Sequence, residues 1–231
     1  MLSPNTYKED NKPFVNSFWH VPKAAGSFVR NVCTEGYSFI RTPLLYEASK
    51  IFSKTPKKAR VATVLRDPVD RFISLFTYLK TATWEPTFNP TNLTLNEYIL
   101  TGEYKKSWDN GNWMVRTLSK CGKSNINSTT EEDLEVAKVV LSNMLVGFTN
   151  NIKEFFGRLE LYWHFPKNIR QKAQNGAMKE HVNVQRRKSS EPVLSNEASV
   201  ILRRSLSHDI QLYQFAKDVI WKEQSFLFID K

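Results

Sequence analysis

The chain has 231 residues, 41% of them hydrophobic, and a formal charge of +10 from 33 lysines and arginines against 23 aspartates and glutamates. This composition excludes a disordered chain, and the length suits one α/β domain over residues 1–231. No apolar run approaches the roughly 18 residues of a membrane span, and residues 1–12 lack the pattern of a secretion signal, so we expect a soluble, cytoplasmic protein. The positive charge favours anionic partners such as nucleotides, acidic glycans, nucleic acid or membrane surfaces.

The first predicted unit is a strand, a tight loop and a helix. Phe14–Val21 is short and apolar, as a buried strand would be, and it leads into the loop Pro22–Ser27. Apolar residues then recur with helical spacing over Phe28–Cys33. Because the N–H groups that begin a helix attract anions, the loop Lys23–Ser27 is placed to hold a phosphate. An ordinary turn with a solvated lysine is the alternative.

This loop differs from the phosphate loop of nucleoside triphosphatases. That motif places its lysine after the second glycine, beside a hydroxyl that binds a metal ion. Here Lys23 comes first, and Gly26 with Ser27 closes the loop. A phosphoryl-transferring enzyme of the same broad fold is therefore a rival interpretation, which magnesium-dependent turnover of ATP would support.

A second strand, Arg60–Leu65, also runs into a helix. Asp67 can cap that helix, and the fixed φ of the proline after it suits the first helical position. Spacings of three and four predict an apolar face that packs on a sheet, formed by Phe72, Leu75, Phe76 and Leu79. Arg66 at the strand end and Ser74 two turns into the helix could bind one phosphate together. The alternative is a structural ion pair between Arg66 and Asp70.

The rest of the chain continues the alternation of helices and strands. Two short helices, Leu93–Leu100 and Asn110–Ser119, fall in an insertion at about residues 81–125. A capping box at Ser128–Glu131 begins a helix that runs to Asn143. There follow the strand Met144–Phe148, the helix Asn150–Trp163, a polar and basic loop over Arg170–Pro192 and a helical C-terminus over Ser195–Trp221. This alternation predicts a parallel sheet covered by helices.

Two stretches together resemble a known family. Residues 19–28, WHVPKAAGSF, and residues 65–76, LRDPVDRFISLF, resemble the 5′-phosphosulfate and 3′-phosphate signatures of sulfotransferases that use 3′-phosphoadenosine 5′-phosphosulfate (PAPS), especially the carbohydrate type. Residues 182–190, VNVQRRKSS, look like the basic loop that covers the cofactor in uronosyl 2-O-sulfotransferases. Residues 209–213, DIQLY, resemble the C-terminal helix of the same enzymes. The middle of the chain matches only loosely.

The resemblance implies a three-layer α/β/α fold with a central parallel sheet, the P-loop nucleotide-kinase-like sulfotransferase fold. It implies that the 5′-phosphosulfate of PAPS is surrounded by Lys23, Ala24, Ala25, Gly26, Ser27 and Phe28. Arg66 and Ser74 would hold the 3′-phosphate. The nucleotide would be covered by Arg187, Lys188 and Ser189, although such a basic run is also typical of a solvated loop. No metal is required.

The chemistry that the resemblance implies is an in-line displacement at sulfur. Negative charge grows on the bridging oxygen that leaves with the nucleotide, so a cation placed there lowers the barrier. Lys23 is the candidate for that cation.

The general base is the point at which the chain departs from the family. In the resembled 2-O-sulfotransferases a histidine between the two cofactor motifs has this role, but no histidine lies between Lys23 and Arg66. Glu35 and Glu47 are the carboxylates of that stretch, and Glu47 is the candidate base. An amine acceptor or a different layout of the site are the alternatives. His20, beside the loop, is expected to make a structural hydrogen bond.

Aromatic and basic residues of the middle insertion could bind a sugar. Rings stack on sugar faces, and basic groups pair with acidic ones. The residues concerned are Trp84, Tyr104, Lys105, Lys106, Trp108, Trp113 and Arg116. The alternative is that most of these rings belong to the core. We therefore expect sulfuryl transfer to a hydroxyl, or an amine, of a small-molecule or glycan acceptor that could be anionic.

Two non-catalytic interpretations stay open. A degenerate sulfotransferase would bind the nucleotide without turnover. A basic nucleic-acid-binding protein would bind tightly at low salt and lose affinity steeply as salt rises. No recognised nucleic-acid-binding motif favours the second interpretation.

Overall fold

The computed structural model of the chain describes residues 14–25, 29, 40–43, 45–46, 49, 58–82, 92–107, 111–119, 128–164 and 192–228. The strands are β1 (Phe14–Trp19), β2 (Ile40–Thr42), β3 (Lys58–Leu65) and β4 (Leu145–Phe148). The helices are α1 (Pro68–Thr81), α2 (Leu95–Leu100), α3 (Trp113–Ser119), α4 (Glu131–Ser142), α5 (Ile152–Trp163), α6 (Asn196–Ser205), α7 (Ser207–Phe215) and α8 (Trp221–Phe228). Short 3-10 turns cover Glu103–Lys106 and Thr149–Asn151, and a π-helical turn, Ala216–Ile220, joins α7 to α8. Among these described helices, none has both the length and the apolar character needed to cross a membrane.

The four strands form one parallel sheet in the order β2-β1-β3-β4. Trp19, the last residue of β1, pairs with Thr42 of β2 on one side and with Thr63 of β3 on the other. The predicted α/β class, with a parallel sheet flanked by helices, is thereby confirmed. The sequence analysis does not predict β2, because a strand of three residues is too short to show a periodic pattern.

Alternate strand residues face two helical layers. On one face, Phe18 and Val64 pack with buried side chains of α5. On the other face, Trp19 and Leu65 pack in one cluster with buried side chains of α3, α4 and α7. Each large apolar side chain that is fully buried contributes about 1.5–3 kcal/mol to folding, so these two clusters hold the sheet between its helices.

α1 begins as the sequence predicts. The Asp67 side chain accepts hydrogen bonds from the N–H groups of Val69 at 2.9 Å and Asp70 at 3.2 Å, and proline occupies the first helical position. The predicted apolar stripe is buried, namely Phe72, Leu75, Phe76 and Leu79. Phe72 and Phe76, however, lie in a cluster built by α2 and α6, in which no described strand residue takes part. These two rings therefore pack on helices, whereas packing on the sheet was expected.

The start of α4 and the continuity of the C-terminal helix differ from the prediction. The capping box of α4 pairs Thr130 with Asp133, each side chain accepting from the other residue's N–H, and does not use the predicted Ser128–Glu131. The predicted C-terminal helix is interrupted at Leu206, which separates α6 from α7. Residues 170–191 of the predicted basic loop lie outside the described residues.

The outer strand β4 is covered by α8. Gln224 of α8 is 3% exposed; its side-chain amide accepts a hydrogen bond from the N–H of Val146 at 3.2 Å and donates one to the carbonyl of Met144 at 2.7 Å. The amide thus bonds to the strand backbone much as a neighbouring strand would. On its α5 side β4 needs a glycine, because a Cβ at Gly147 would lie 2.2 Å from the Phe155 ring.

Candidate functional site

The order of the strands reverses between β1 and β3, so a crevice is expected where these two strands end. The chain passes from β1 to β2 on one side, and β3 then lies on the other side of β1. In parallel α/β sheets, ligands bind outside the carboxyl ends of the strands, at the point where the strand order reverses. The turn Pro22–Ala25 follows β1, and the junction Arg66–Asp67 follows β3. The two predicted phosphate-binding segments therefore meet at this crevice.

Two residues of the turn after β1 have a left-handed backbone. Lys23 has a φ of 65° and Ala25 a φ of 57°. This conformation costs a residue other than glycine about 1–2 kcal/mol, and strain of this kind clusters at functional sites. Turns with left-handed residues can point successive N–H groups at an anion. The carbonyl of Ala25 accepts a hydrogen bond from the N–H of Val29 at 3.0 Å, which is the spacing of a helical turn.

The side chain of Lys23 reaches α1. Its Nζ lies 4.6 Å from the centroid of the Tyr78 ring, within the range of a cation–π contact. Tyr78 follows Ser74 by four residues, so the two side chains share one face of α1. The lysine of the first segment and the serine of the second are thus brought to the same face of one helix. Tyr78 is not among the site residues that the sequence predicts.

Arg66 and Ser74 are both partly buried. Within the described ranges, neither side chain has a hydrogen-bond or ion-pair partner. The ion pair between Arg66 and Asp70, the structural alternative, is not found among these residues, and Asp70 is exposed. The junction therefore offers a guanidinium fork and a hydroxyl to an anionic group.

Tyr213 of α7 faces the same junction. Its ring packs edge-on against Phe148, with centroids 5.4 Å apart. Burial is the main cause that raises the pKa of its phenol, and the nearby carboxylates of Asp67 and Asp70 add to the rise. Tyr213 therefore keeps its proton at neutral pH and can donate a hydrogen bond there. It belongs to the stretch 209–213 that resembles the family, but the sequence analysis gives it no role.

His20 follows β1 and contacts Arg41 of β2. One guanidinium nitrogen of Arg41 lies 3.0 Å from Nδ1 and 3.2 Å from Nε2 of the imidazole. Burial, followed by the charges of Arg41 and Lys23, lowers the pKa of His20 to about 4. The ring is neutral at physiological pH, and its basic nitrogen can accept a hydrogen bond from Arg41. His20 makes the structural hydrogen bond that the sequence predicts and is poorly suited to remove a proton from an acceptor.

Behind the crevice, α3 and α7 cap each other. The Asp209 carboxylate accepts hydrogen bonds from the N–H groups of Met114 and Val115, at 3.1 and 2.9 Å. The side-chain oxygen of Asn112 accepts from the N–H groups of His208 and Asp209, both at 3.0 Å. Each helix N-terminus is thus satisfied by a side chain at the start of the other helix. We call this arrangement the α3–α7 double cap.

The double cap contacts the helix and the strand that adjoin the two predicted phosphate-binding segments. Arg71 of α1 lies 3.9 Å from the Asp209 carboxylate, and both side chains have 0% exposure. Trp113, the first residue of α3, stacks on Trp19, the last residue of β1, with centroids 6.0 Å apart. The C-terminal helices therefore support the helix that carries Ser74 and the strand that precedes the loop. These contacts join distant parts of the chain, so no local pattern predicts them.

Several predicted site residues lie outside the described residues, namely Gly26, Ser27, Phe28, Glu47, Arg187, Lys188 and Ser189. Trp84 and Trp108 of the predicted sugar-binding set also lie outside them. Tyr104 is 2% exposed and packs on Phe72, and Trp113 stacks on a tryptophan of β1, so these two rings belong to the core. Ala24 is buried with the core cluster next to α3 and anchors the turn.

The described residues thus place a lysine and an arginine at two neighbouring strand ends and a hydroxyl on the helix that follows the second strand, with a neutral histidine beside the lysine turn. Such a set suits a ligand with two separate anionic groups. Among the residues that the structure describes, no group of three side chains could hold a metal ion. Compared with known proteins, the chain matches no protein-family model, and no curated protein matches it.

Proposed function

We propose that the protein is a sulfotransferase that moves the sulfuryl group of PAPS to a hydroxyl, or an amine, of a carbohydrate or another polar acceptor. The observation that supports this proposal is that the two predicted anion-binding segments follow neighbouring parallel strands, and that Lys23 of the first reaches the helix that carries Ser74 of the second. PAPS carries anionic groups at both its 5′ and its 3′ positions and needs two such segments. ATP carries its phosphates at one position only.

The proposed roles follow from the chemistry of the side chains. PAPS supplies a sulfuryl group that is activated by its bond to phosphate. Lys23 opposes the negative charge that grows on the departing oxygen, so it stabilises the transition state more than the ground state. Arg66 and Ser74 bind the 3′-phosphate and fix the nucleotide for in-line attack. Because its lowered pKa makes His20 a weak base and its ring is bonded to Arg41, we assign removal of the acceptor proton to Glu47. An amine acceptor would need less help from a base.

Isothermal titration of the full chain with 3′-phosphoadenosine 5′-phosphate (PAP), beside ATP, tests the proposal. We expect micromolar binding that is selective for PAP. Arg66→Ala should weaken PAP binding about 10- to 100-fold, because it removes charge-assisted hydrogen bonds. Arg203→Ala is the charge-matched control, since Arg203 is an exposed residue of α6. Lack of PAP binding, or equal binding of ATP, would contradict the assignment.

Turnover of PAPS with a panel of glycan acceptors then separates an enzyme from a binding module. In the same experiment, Lys23→Ala should lower kcat about 100- to 1000-fold, as the loss of one preorganised donor does elsewhere. PAP binding without turnover on any acceptor would favour the degenerate interpretation. Tight binding to nucleic acid that falls steeply with salt, in place of PAP binding, would favour the other rival.

A further inference from the structure

The contact between Lys23 and Tyr78 joins the two anion-binding segments directly. Lysine is a flexible side chain with four methylenes, and a lone lysine on a turn can place its amine in many positions. Here the amine lies 4.6 Å from the Tyr78 ring centroid. Tyr78 is partly buried on α1, so its ring is held by the same helix that carries Ser74. The position of the Lys23 amine is therefore set by its contact with α1 as well as by the turn that carries Lys23.

The chemical nature of this contact suits a catalytic cation. A carboxylate partner would also fix a lysine, but its negative charge would oppose the attraction of the amine for an anionic ligand. The face of an aromatic ring attracts an ammonium group through its quadrupole and carries no net charge. The ring can therefore hold the amine in place without adding a negative charge of its own beside it.

We propose that Tyr78 is a positioning residue that holds the Lys23 amine against the sulfuryl-bearing end of the nucleotide. This inference rests on the proposed function. Lys23 acts on charge that develops during the reaction, so misplacing its amine raises the barrier more than it weakens the nucleotide complex. The predicted signature is a loss of kcat with little change in the affinity for PAP.

Three variants of Tyr78 and one control test this role. Tyr78→Phe keeps the ring face and should retain kcat within about 3-fold. Tyr78→Leu and Tyr78→Met remove the ring but keep an apolar side chain, and each should lower kcat about 10-fold, which is the typical strength of a partly desolvated cation–π contact. PAP affinity by titration should stay within about 3-fold for all three. The control is Thr77→Ala, at the neighbouring exposed position of α1.

A second readout reports the contact without turnover. Reductive methylation with a carbon-13 label leaves lysines charged and gives each a resolved NMR signal. The Lys23 signal, assigned by its loss in Lys23→Arg, should show an upfield ring-current shift in the parent chain and in Tyr78→Phe. The shift should disappear in Tyr78→Leu and Tyr78→Met.

The outcomes separate this inference from the function on which it rests. If the parent chain binds PAP and turns over PAPS, but kcat is the same in Tyr78→Phe and both non-aromatic variants, Tyr78 has no positioning role. A parent Lys23 signal without the ring-current shift would show that the contact is not made, and would also overturn the inference. If the parent chain does not bind PAP, the proposed function itself fails and the role of Tyr78 falls with it, even where the NMR shift is present.

Discussion

At the scale of single residues, the turn after β1 holds two residues other than glycine in a strained, left-handed backbone conformation. Lys23 and Ala25 have positive φ, whereas Ala24 between them does not and is 1% exposed. Glycine would be the relaxed residue at positions 23 and 25. A lysine that supplies charge cannot be replaced by glycine without losing that charge. The strained residue Lys23 is therefore also the residue that we propose as the catalytic cation.

Ala25→Gly tests whether this strain is real. The substitution removes about 1–2 kcal/mol of strain and adds about 0.5–1 kcal/mol of chain entropy, so the free energy of unfolding should rise by about 0.5 kcal/mol. Ala24→Gly is the matched control, and it should lower the free energy of unfolding by about 1 kcal/mol, because it loses a buried methyl group without relieving strain. Urea unfolding measures both. An equal loss of stability in the two variants would show that the backbone at Ala25 is not strained.

His20 predicts a dependence of stability on pH. Its pKa is lowered from 6.5 to about 4 in the folded protein, so between these values the unfolded chain binds a proton that the folded protein does not. The stability contributed by the neutral ring is full above pH 6.5 and is lost as pH falls towards 4. Because the ring is only partly buried, solvent screening reduces this loss to about 1–2 kcal/mol.

Unfolding of the parent chain and of His20→Asn between pH 7 and pH 4 measures this contribution. Asparagine can still accept a hydrogen bond from Arg41 but does not titrate. The parent should lose more stability than the variant over this range, by about 1–2 kcal/mol. Parallel curves for the two proteins would mean that His20 titrates in the same way when folded and unfolded.

At the scale of helices and strands, the α3–α7 double cap is the main long-range feature. Asp209 is 0% exposed, lies 3.9 Å from Arg71 and accepts two backbone hydrogen bonds from α3. Asp209→Asn leaves the buried Arg71 guanidinium beside a neutral group, so we expect a loss of about 3 kcal/mol of stability. The control Asp218→Asn removes a carboxylate that is 51% exposed and 3.9 Å from Lys222, and should cost about 0.5 kcal/mol or less. Thermal unfolding compares them, and a similar loss in both would show that the double cap is not a stabilising unit.

The same element shows what local sequence patterns can and cannot predict. The cap, the first residue and the apolar stripe of α1 follow from residues close together in the chain, and the structure confirms them. The division of the C-terminal helix at Leu206 does not follow from nearby residues. The N–H groups at the start of α7 donate hydrogen bonds to Asn112, which lies about a hundred residues earlier in the chain. The capping box of α4 was predicted two residues early, since Ser128 and Thr130 both fit the first position of the pattern.

At the scale of the whole molecule, the alternation of strands and helices predicted the parallel sheet, and the sheet places the two predicted anion-binding segments after neighbouring strands. The sequence could place Lys23 and Arg66 at strand ends and Ser74 two turns into a helix, because these strands and this helix have recognisable patterns. It could not reveal that Tyr78 contacts Lys23 or that Arg41 contacts His20, since both contacts depend on how separate segments pack. It also failed to predict β2, whose three residues form a strand only by pairing with β1.

The bond between Gln224 and β4 has a consequence for how copies of the protein behave towards each other. An outer strand with unbonded N–H and carbonyl groups is a template on which a strand of another chain can add, and this is a common route to aggregation. The Gln224 amide bonds to the N–H of Val146 and the carbonyl of Met144, which are two of the backbone groups such an intruding strand would need. Detachment of α8 would therefore expose backbone groups of β4 to which a strand of another copy could bond, so α8 protects this edge of the sheet against self-association.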